Sequence, residues 1–241
     1  MLELKGVSVT LGKKTVVQNI NFSLAGGQSL AIIGPNGSGK TTLLKSIANI
    51  VTPSGQVLLD NELVRGMDRR CIAKKFALLN QNAVTTFNYT VKERVLMGRY
   101  AYGDSHKNSE LAIEMLKLTG MEKYADTSML TLSGGQAQRV HLAAALAQNA
   151  KVIMLDEPTN HLDIKYQIEI IDFLVKNIKG KILIGVFHDI NMAMYFSENI
   201  LIMKDGQVVA QGNAGHVRPL LNKVYDVNVC GFMLESLKRW G

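Results

Sequence analysis

The stretch Gly34-Pro35-Asn36-Gly37-Ser38-Gly39-Lys40-Thr41-Thr42 restricts this chain more than any other. It fits the phosphate-loop spacing of a glycine, four residues, then Gly-Lys-Ser/Thr. Glycines let a backbone turn tightly around a polyphosphate with its N–H groups inward. The helix that follows offers its N-terminal dipole to the negative charge. In such a loop Lys40 reaches the β- and γ-phosphates, and the Thr41 hydroxyl binds the magnesium that bridges them. The context agrees, since Ser29 to Ile33 reads as a buried strand and Thr42 to Ala48 as a helix. An α/β protein that binds a nucleoside triphosphate with Mg2+ is expected.

At 241 residues, 47% of them hydrophobic, the chain can bury a large core. No apolar run approaches the ~18 to 20 residues of a membrane helix, and Met1-Leu2-Glu3-Leu4-Lys5 has no signal-peptide pattern. A soluble, cytoplasmic protein is therefore expected. Cys71 and Cys230 are far apart and lack metal-ligand spacing, which argues against a disulfide framework or a zinc site. The net charge of +7 permits attraction to nucleic acid or anionic lipid. Lys and Arg are nevertheless scattered, and the one dense run, Arg65 to Lys75, has no interleaved aromatics. It reads as a solvated helix face, and no nucleic-acid partner is expected.

Polar residues gather where apolar strands end. Residues 2 to 33 read as antiparallel strands around a Gly12-Lys13-Lys14 turn. Gln56 to Asp60 and Phe76 to Gln81 are further strands, and the second leaves Gln81 at a strand end, where ligands collect in open α/β sheets. From Val91 to about Gln148 the pattern is helical. Val152 to Leu155 is a continuous apolar strand that delivers Asp156 and Glu157. After a helix over Ile164 to Ile178, the strand Ile182 to Phe187 delivers His188. A strand pair joined by Lys204-Asp205-Gly206-Gln207 and a short helical tail complete the chain. Asp156 suits a hard divalent ion. Glu157 suits a general base for an attacking water, and His188 a donor near the γ-phosphate. His106, His141, His161 and His216 have no comparable context.

With Leu132-Ser133-Gly134-Gly135-Gln136 added, these motifs resemble the nucleotide-binding subunit of ABC transporters, in order and over almost the whole chain. The correspondence is Walker A at Gly34 to Thr42, Q-loop at Gln81, signature at Leu132 to Gln136, and Walker B at Val152 to Asp156 with Glu157. The D-loop follows at Asn160-His161-Leu162-Asp163 and the H-loop at His188. The resemblance implies the P-loop ABC ATPase fold in a single nucleotide-binding domain, 1–241. Segments 1–87 and 150–241 would form a core with an antiparallel β element, and 88–149 a helical subdomain bearing the signature. It implies ATP and Mg2+, with Thr41, Gln81 and Asp156 as metal ligands and with Glu157, His188, Gln81 and Lys40 acting in hydrolysis. Ser133, Gly134, Gly135 and Gln136 would act on ATP held by the other copy of a head-to-tail homodimer, with Asp163 of the D-loop nearby. The loop at Gln81 would meet an integral-membrane permease, served in turn by an extracytoplasmic substrate-binding protein. Such a subunit sits peripherally on the inner face of the plasma membrane.

Thr90 to Tyr100 and His188 to Ala193 are similar to segments of ATPases that import iron siderophores, haem and cobalamin. Molybdate and zinc importers share parts of them, and an exporter subunit stays open. Chromosome and repair ATPases would carry a long coiled coil between Thr42 and Ser133, and translation factors of this superfamily a second cassette; the sequence has neither. It departs from the family pattern twice. Leu11 precedes Gly12 where relatives place an aromatic on the adenine, so Leu11 and Val16 are expected to pack on the base. Ala144 stands where relatives commonly carry arginine.

Overall fold

Alternating burial at the start of the chain makes a sheet with one wet face. Strands β1 (Leu2–Leu11) and β2 (Lys14–Leu24) pair antiparallel, turning at Gly12 with φ +60°. The computed structural model describes residues 1–80, 88–103, 105–160, 162–177 and 180–239, so Gln81 and His161 lie outside the described residues. Next come β3 (Ser29–Ile33), α1 (Lys40–Ile47), β4 (Ser54–Leu59), β5 (Glu62–Leu63), α2 (Arg69–Lys75) and β6 (Phe76–Leu79). Strands β4 and β5 return to the first sheet, giving the order β2-β1-β4-β5.

Helices α3 (Val91–Leu96), α4 (His106–Leu118) and α5 (Gly134–Ala147) follow, with a 3₁₀ turn at Met97–Tyr102. Thr90 and Glu93 form a capping box that starts α3. Among the described residues the stretch between β6 and β7 holds no strand beyond an isolated bridge of Thr90 to Ser128. At Gly98 any Cβ would lie 2.2 Å from the Ala144 carbonyl, so the turn and α5 meet backbone to backbone.

The chain then runs through β7 (Val152–Asp156), α6 (Ile164–Asn177), β8 (Ile182–Val186), α7 (Ile190–Phe196), β9 (Ile200–Lys204) and β10 (Gln207–Gly212). It continues as α8 (Ala214–Tyr225) and α9 (Val229–Lys238), two helices where the sequence reads as one short tail. The second sheet has the order β10-β9-β3-β8-β7-β6, parallel except for β10. Its central strands are apolar throughout because they bury both faces. Leu30, Ile32, Met154 and Ile184 meet the first sheet and the inner side of α1 (Leu43, Leu44, Ile47). Ala31, Ile33, Ile153, Leu155 and Leu183 meet the helices on the opposite face. Register levels the strand ends: Val186 lies beside both Asp156 and Ile32, so the segments after β3, β7 and β8 emerge side by side.

Candidate functional site

A cavity of about 390 Å³ opens at that edge, lined by Asn36 through Thr42 together with Val16, Glu157 and His188. The loop is held by close backbone contacts. A Cβ at Gly34 (φ +149°) would sit 2.0 Å from the Met203 carbonyl, and one at Gly39 (φ +96°) 2.6 Å from the Val16 carbonyl. Neither position accepts a side chain. Helix α1 begins at Gly39 without a side-chain cap and without an acid in its first turn. Its N–H groups and positive dipole end therefore face the cavity without a capping side chain from the helix itself.

Lys40 is buried, and its ammonium donates to the carbonyls of Gly34 at 2.8 Å and Pro35 at 2.9 Å. Burial lowers its pKa, while the nearby Glu157 and Asp156 carboxylates act to raise it. Thr41 donates its hydroxyl to Asp156 Oδ1 at 3.1 Å. Asp156 is 2% exposed, and burial pushes its carboxyl above the usual range, against the Thr41 hydrogen bond. The neighbouring Glu157 pushes in the same direction as burial. The Ser38 hydroxyl is buried and, among the described residues, has no hydrogen-bond partner.

Glu157 has a left-handed backbone, φ +54°, with its N–H bound to the Val186 carbonyl at 3.1 Å. That conformation costs a non-glycine residue about 1–2 kcal/mol and turns the chain sharply out of β7. The carboxylate is thereby aimed across to His188, whose Nε2 lies 2.5 Å from Glu157 Oε1. The Asn160 amide donates to Glu157 Oε2. Sequence reading missed Asn160 as a partner of Glu157, although its i+3 spacing after a sharp turn was the available signal.

These residues suit a nucleoside triphosphate. The uncapped helix, the unpartnered Ser38 hydroxyl and the glycine cradle fit a polyphosphate, and Thr41 with Asp156 offers oxygen ligands of the kind magnesium takes.

The other expected site residues are placed as follows. Val16 lines the cavity; Leu11, at the end of β1, is 47% exposed and is not part of the lining. Gln81 lies outside the described residues. Asp163 accepts from the Tyr166 N–H at 3.1 Å and so orders the start of α6. Ser133 caps α5 in a capping box: its Oγ accepts from Gln136 N–H at 3.3 Å, and Gln136 Oε1 accepts from Ser133 N–H at 2.9 Å. Ser133 and Gly134 are exposed, Gly135 and Gln136 half-buried, and none of the four lines the phosphate cavity of its own chain.

Two other openings lie apart from the phosphate loop, Glu157 and His188. A groove of about 850 Å³ runs past Arg70, Met97, Arg99, Tyr100 and His106. A cavity of about 170 Å³ is lined by Arg94, His141 and Ala144 among others. Ala144 is buried there, so a cation lining that space comes from α3 through Arg94. His141 is buried as well, while His216 is exposed. Among the described residues no helix is long and apolar enough to cross a membrane.

Residues 17–160 match the ABC transporter family. The chain is 36% identical over 224 residues to a petrobactin import ATP-binding protein of Bacillus anthracis, covering 90% of this chain and 82% of that one. It is 37% identical over 234 residues to the ferric enterobactin transport ATP-binding protein of Escherichia coli, covering 92% and 86%. A solved dimeric ATP-binding cassette, in a post-hydrolysis state bound to ADP and Pi, superposes with a TM-score of 0.78 at 32% identity, over 88% of this chain and 98% of that one. From the family match and these relatives, the chain belongs to the ABC transporter family, as one of its nucleotide-binding ATPase cassettes.

Proposed function

We propose that this chain hydrolyses ATP to drive a membrane importer of an iron chelate of the siderophore class. The observation that carries the ATPase chemistry is the meeting of Lys40, Thr41, Asp156, Glu157 and His188 at one level edge of the sheet. The cargo class rests on relatives of 35–37% identity named for petrobactin, ferric enterobactin and iron(3+)-hydroxamate.

The loop N–H groups and Lys40 bind the triphosphate, with Val16 beside the base end of the cavity. Thr41 and Asp156 are the residues that would hold Mg2+, with Gln81 as a further ligand, and the ion would supply neutralising charge to the phosphates. Glu157 orients the attacking water and accepts its proton. His188 holds the Glu157 carboxylate in place and donates toward the γ-phosphate, where charge develops. The signature residues Ser133 to Gln136 lie outside the phosphate cavity of their own chain, with Ser133 and Gly134 exposed. They complete the site of a second copy, so that the working unit is a dimer closed over two nucleotides. Asp163, exposed at the start of α6, is the D-loop residue on this reading. The dimer works against an integral permease on the cytoplasmic face of the membrane, and a separate extracytoplasmic protein selects the chelate.

The test is to express a tagged Glu157→Gln chain in the source cells, extract membranes in mild detergent with ATP, and identify what co-purifies. A multi-span permease, encoded with a binding protein that takes up ferric siderophores, is the expected result. Recovery of ribosomes, DNA or a permease lacking any binding protein would overturn the importer reading.

A further inference from the structure

A pair of side chains with no part in the chemistry above joins α5 to α6. Arg139 lies on α5, the helix that Ser133 caps, and its guanidinium carbon is 4.2 Å from the centroid of the Tyr166 ring at the start of α6. The Arg139 Nε is buried and has no hydrogen-bond partner among the described residues. A cavity of about 260 Å³ opens between α5, α6 and the end of α4, and Arg139, Tyr166 and Glu169 all line it. The Glu169 carboxylate pairs there with Lys165, at 3.9 Å. A cationic group drawn out of water costs free energy unless something meets it. Here the ring face meets it, through the attraction of the aromatic quadrupole and the stacking of a planar guanidinium. The turn that ends α4 leaves room for the same group: a Cβ at Gly120 (φ +66°) would come to 3.4 Å from Arg139 Nη1.

Tyr166 is bound in turn to the catalytic edge. Its N–H donates to Asp163 Oδ1 at 3.1 Å. The next residue, Gln167, donates from Nε2 to the Thr159 carbonyl at 3.2 Å and the Leu162 carbonyl at 2.9 Å. Beside Thr159, the Asn160 amide donates to Glu157. A run of contacts therefore leads from Glu157 through Asn160, Thr159 and Gln167 to Tyr166, across the ring to Arg139, and along α5 to Ser133. The route along the chain between the same two helices passes through the whole of β7.

We propose that Arg139 and Tyr166 are positioning residues: their stack fixes the angle between α5 and α6, and with it the direction in which the Ser133 end of α5 meets the nucleotide of a second copy. The inference rests on the closed dimer proposed above. Neither side chain touches a reacting atom. Without the stack, α5 samples other angles against α6, and only chains at the parent angle can close the dimer. If that fraction falls to about a third in each chain, closure of two chains weakens by about tenfold.

The experiment places Arg139→Met, Tyr166→Leu, their double variant and Tyr166→Phe in the full Glu157→Gln chain, and measures the dimer Kd by sedimentation with saturating ATP and Mg2+. Each of the first two is expected to raise that Kd by about tenfold. The double variant is expected to be no worse than either, because both remove one contact. Tyr166→Phe keeps the parent value, since it keeps the ring face. ATP affinity of the dilute monomer stays unchanged throughout. The angle itself is read on the nucleotide-free monomer, from the distance between spin labels attached through Glu110→Cys on α4 and Val175→Cys on α6, with Cys71→Ser and Cys230→Ser. Tyr166→Leu is expected to broaden that distance distribution and Tyr166→Phe to preserve it. A Tyr166→Leu chain with the parent dimer Kd or the parent label distances would overturn the inference. So would additive losses in the double variant, or an equal fall in monomer ATP affinity, which would mark general loosening. A parent that stays monomeric with ATP would count against the dimer reading, and the label distances would still decide whether the stack holds the angle.

Discussion

The sheet edge and the start of α5 both carry nucleotide motifs, and they are built in opposite ways. At the sheet edge, the segments after three strands locked in register bring together side chains that already touch one another around the buried Asp156 and Glu157: Thr41 to Asp156, and Glu157 to His188 and Asn160. At the start of α5, Ser133 and Gln136 satisfy each other in a capping box and face outward. One region is assembled by folding. The other is held ready for something that folding of a single chain does not supply. On the dimer proposed above, half of the catalytic site would be set by the core of one molecule, and half by the geometry of a presented helix end.

The contrast can be broken first at the sheet edge. Glu157→Gln is expected to cut hydrolysis by ~100-fold or more while ATP still binds. Lys40→Ala instead weakens ATP binding itself, by roughly tenfold to a hundredfold, as expected for a charge-assisted contact. Stopped-flow nucleotide binding beside phosphate release separates the two, and normal phosphate release from the Glu157 variant would remove it from the role of base. The α5 side should behave differently. Ser133→Ala is expected to slow hydrolysis by about tenfold and to leave ATP affinity measured at dilute, monomeric concentration unchanged. Loss of affinity under those dilute conditions would mean that the signature acts within its own chain.

The smallest effect sharpens the electrostatic side of the comparison. Asp156 carries a raised pKa in the fold, so above that pKa the buried, ionised carboxylate weakens the ligand-free protein. As pH falls through the raised value the folded state takes up the proton first, and the penalty fades. Below the ordinary carboxylate range it is gone. Asp156→Asn should thus melt higher than the parent at neutral pH without nucleotide, by roughly 2–4 °C per kcal/mol relieved, and the gap should close in acid. A gap that widens on acidification would contradict this account of the burial.

Much of this was legible in the sequence because the signals are local. A run such as Val152 to Leu155 has to be buried on both faces, and the residues immediately after it have to stand at the sheet edge. The phosphate loop, Asp156, Glu157 and His188 are all of this kind. What escaped reading depends on backbone turns and exposures that the local residue pattern does not carry. Asn160 finds Glu157 only because Glu157 adopts a left-handed turn. Leu11 stands in the expected sequence position, yet the end of β1 leaves it exposed and outside the cavity lining. The apolar stripe of Val217, Leu221 and Val224 has helical spacing, but Pro219 lies within it and masks a 12-residue helix as a short tail.

The bare start of α1 has a consequence for how this protein is handled. A helix end without its own capping side chain or acid is completed by whatever anion the solution provides, and only the folded chain presents it. Its thermal stability is then partly a property of the buffer, since an anion at a hundred times its Kd adds about 2.7 kcal/mol to the folded state. Phosphate and amine buffers would report two different melting curves for the same polypeptide, and shifts caused by substitutions near the loop compare cleanly only within one of them.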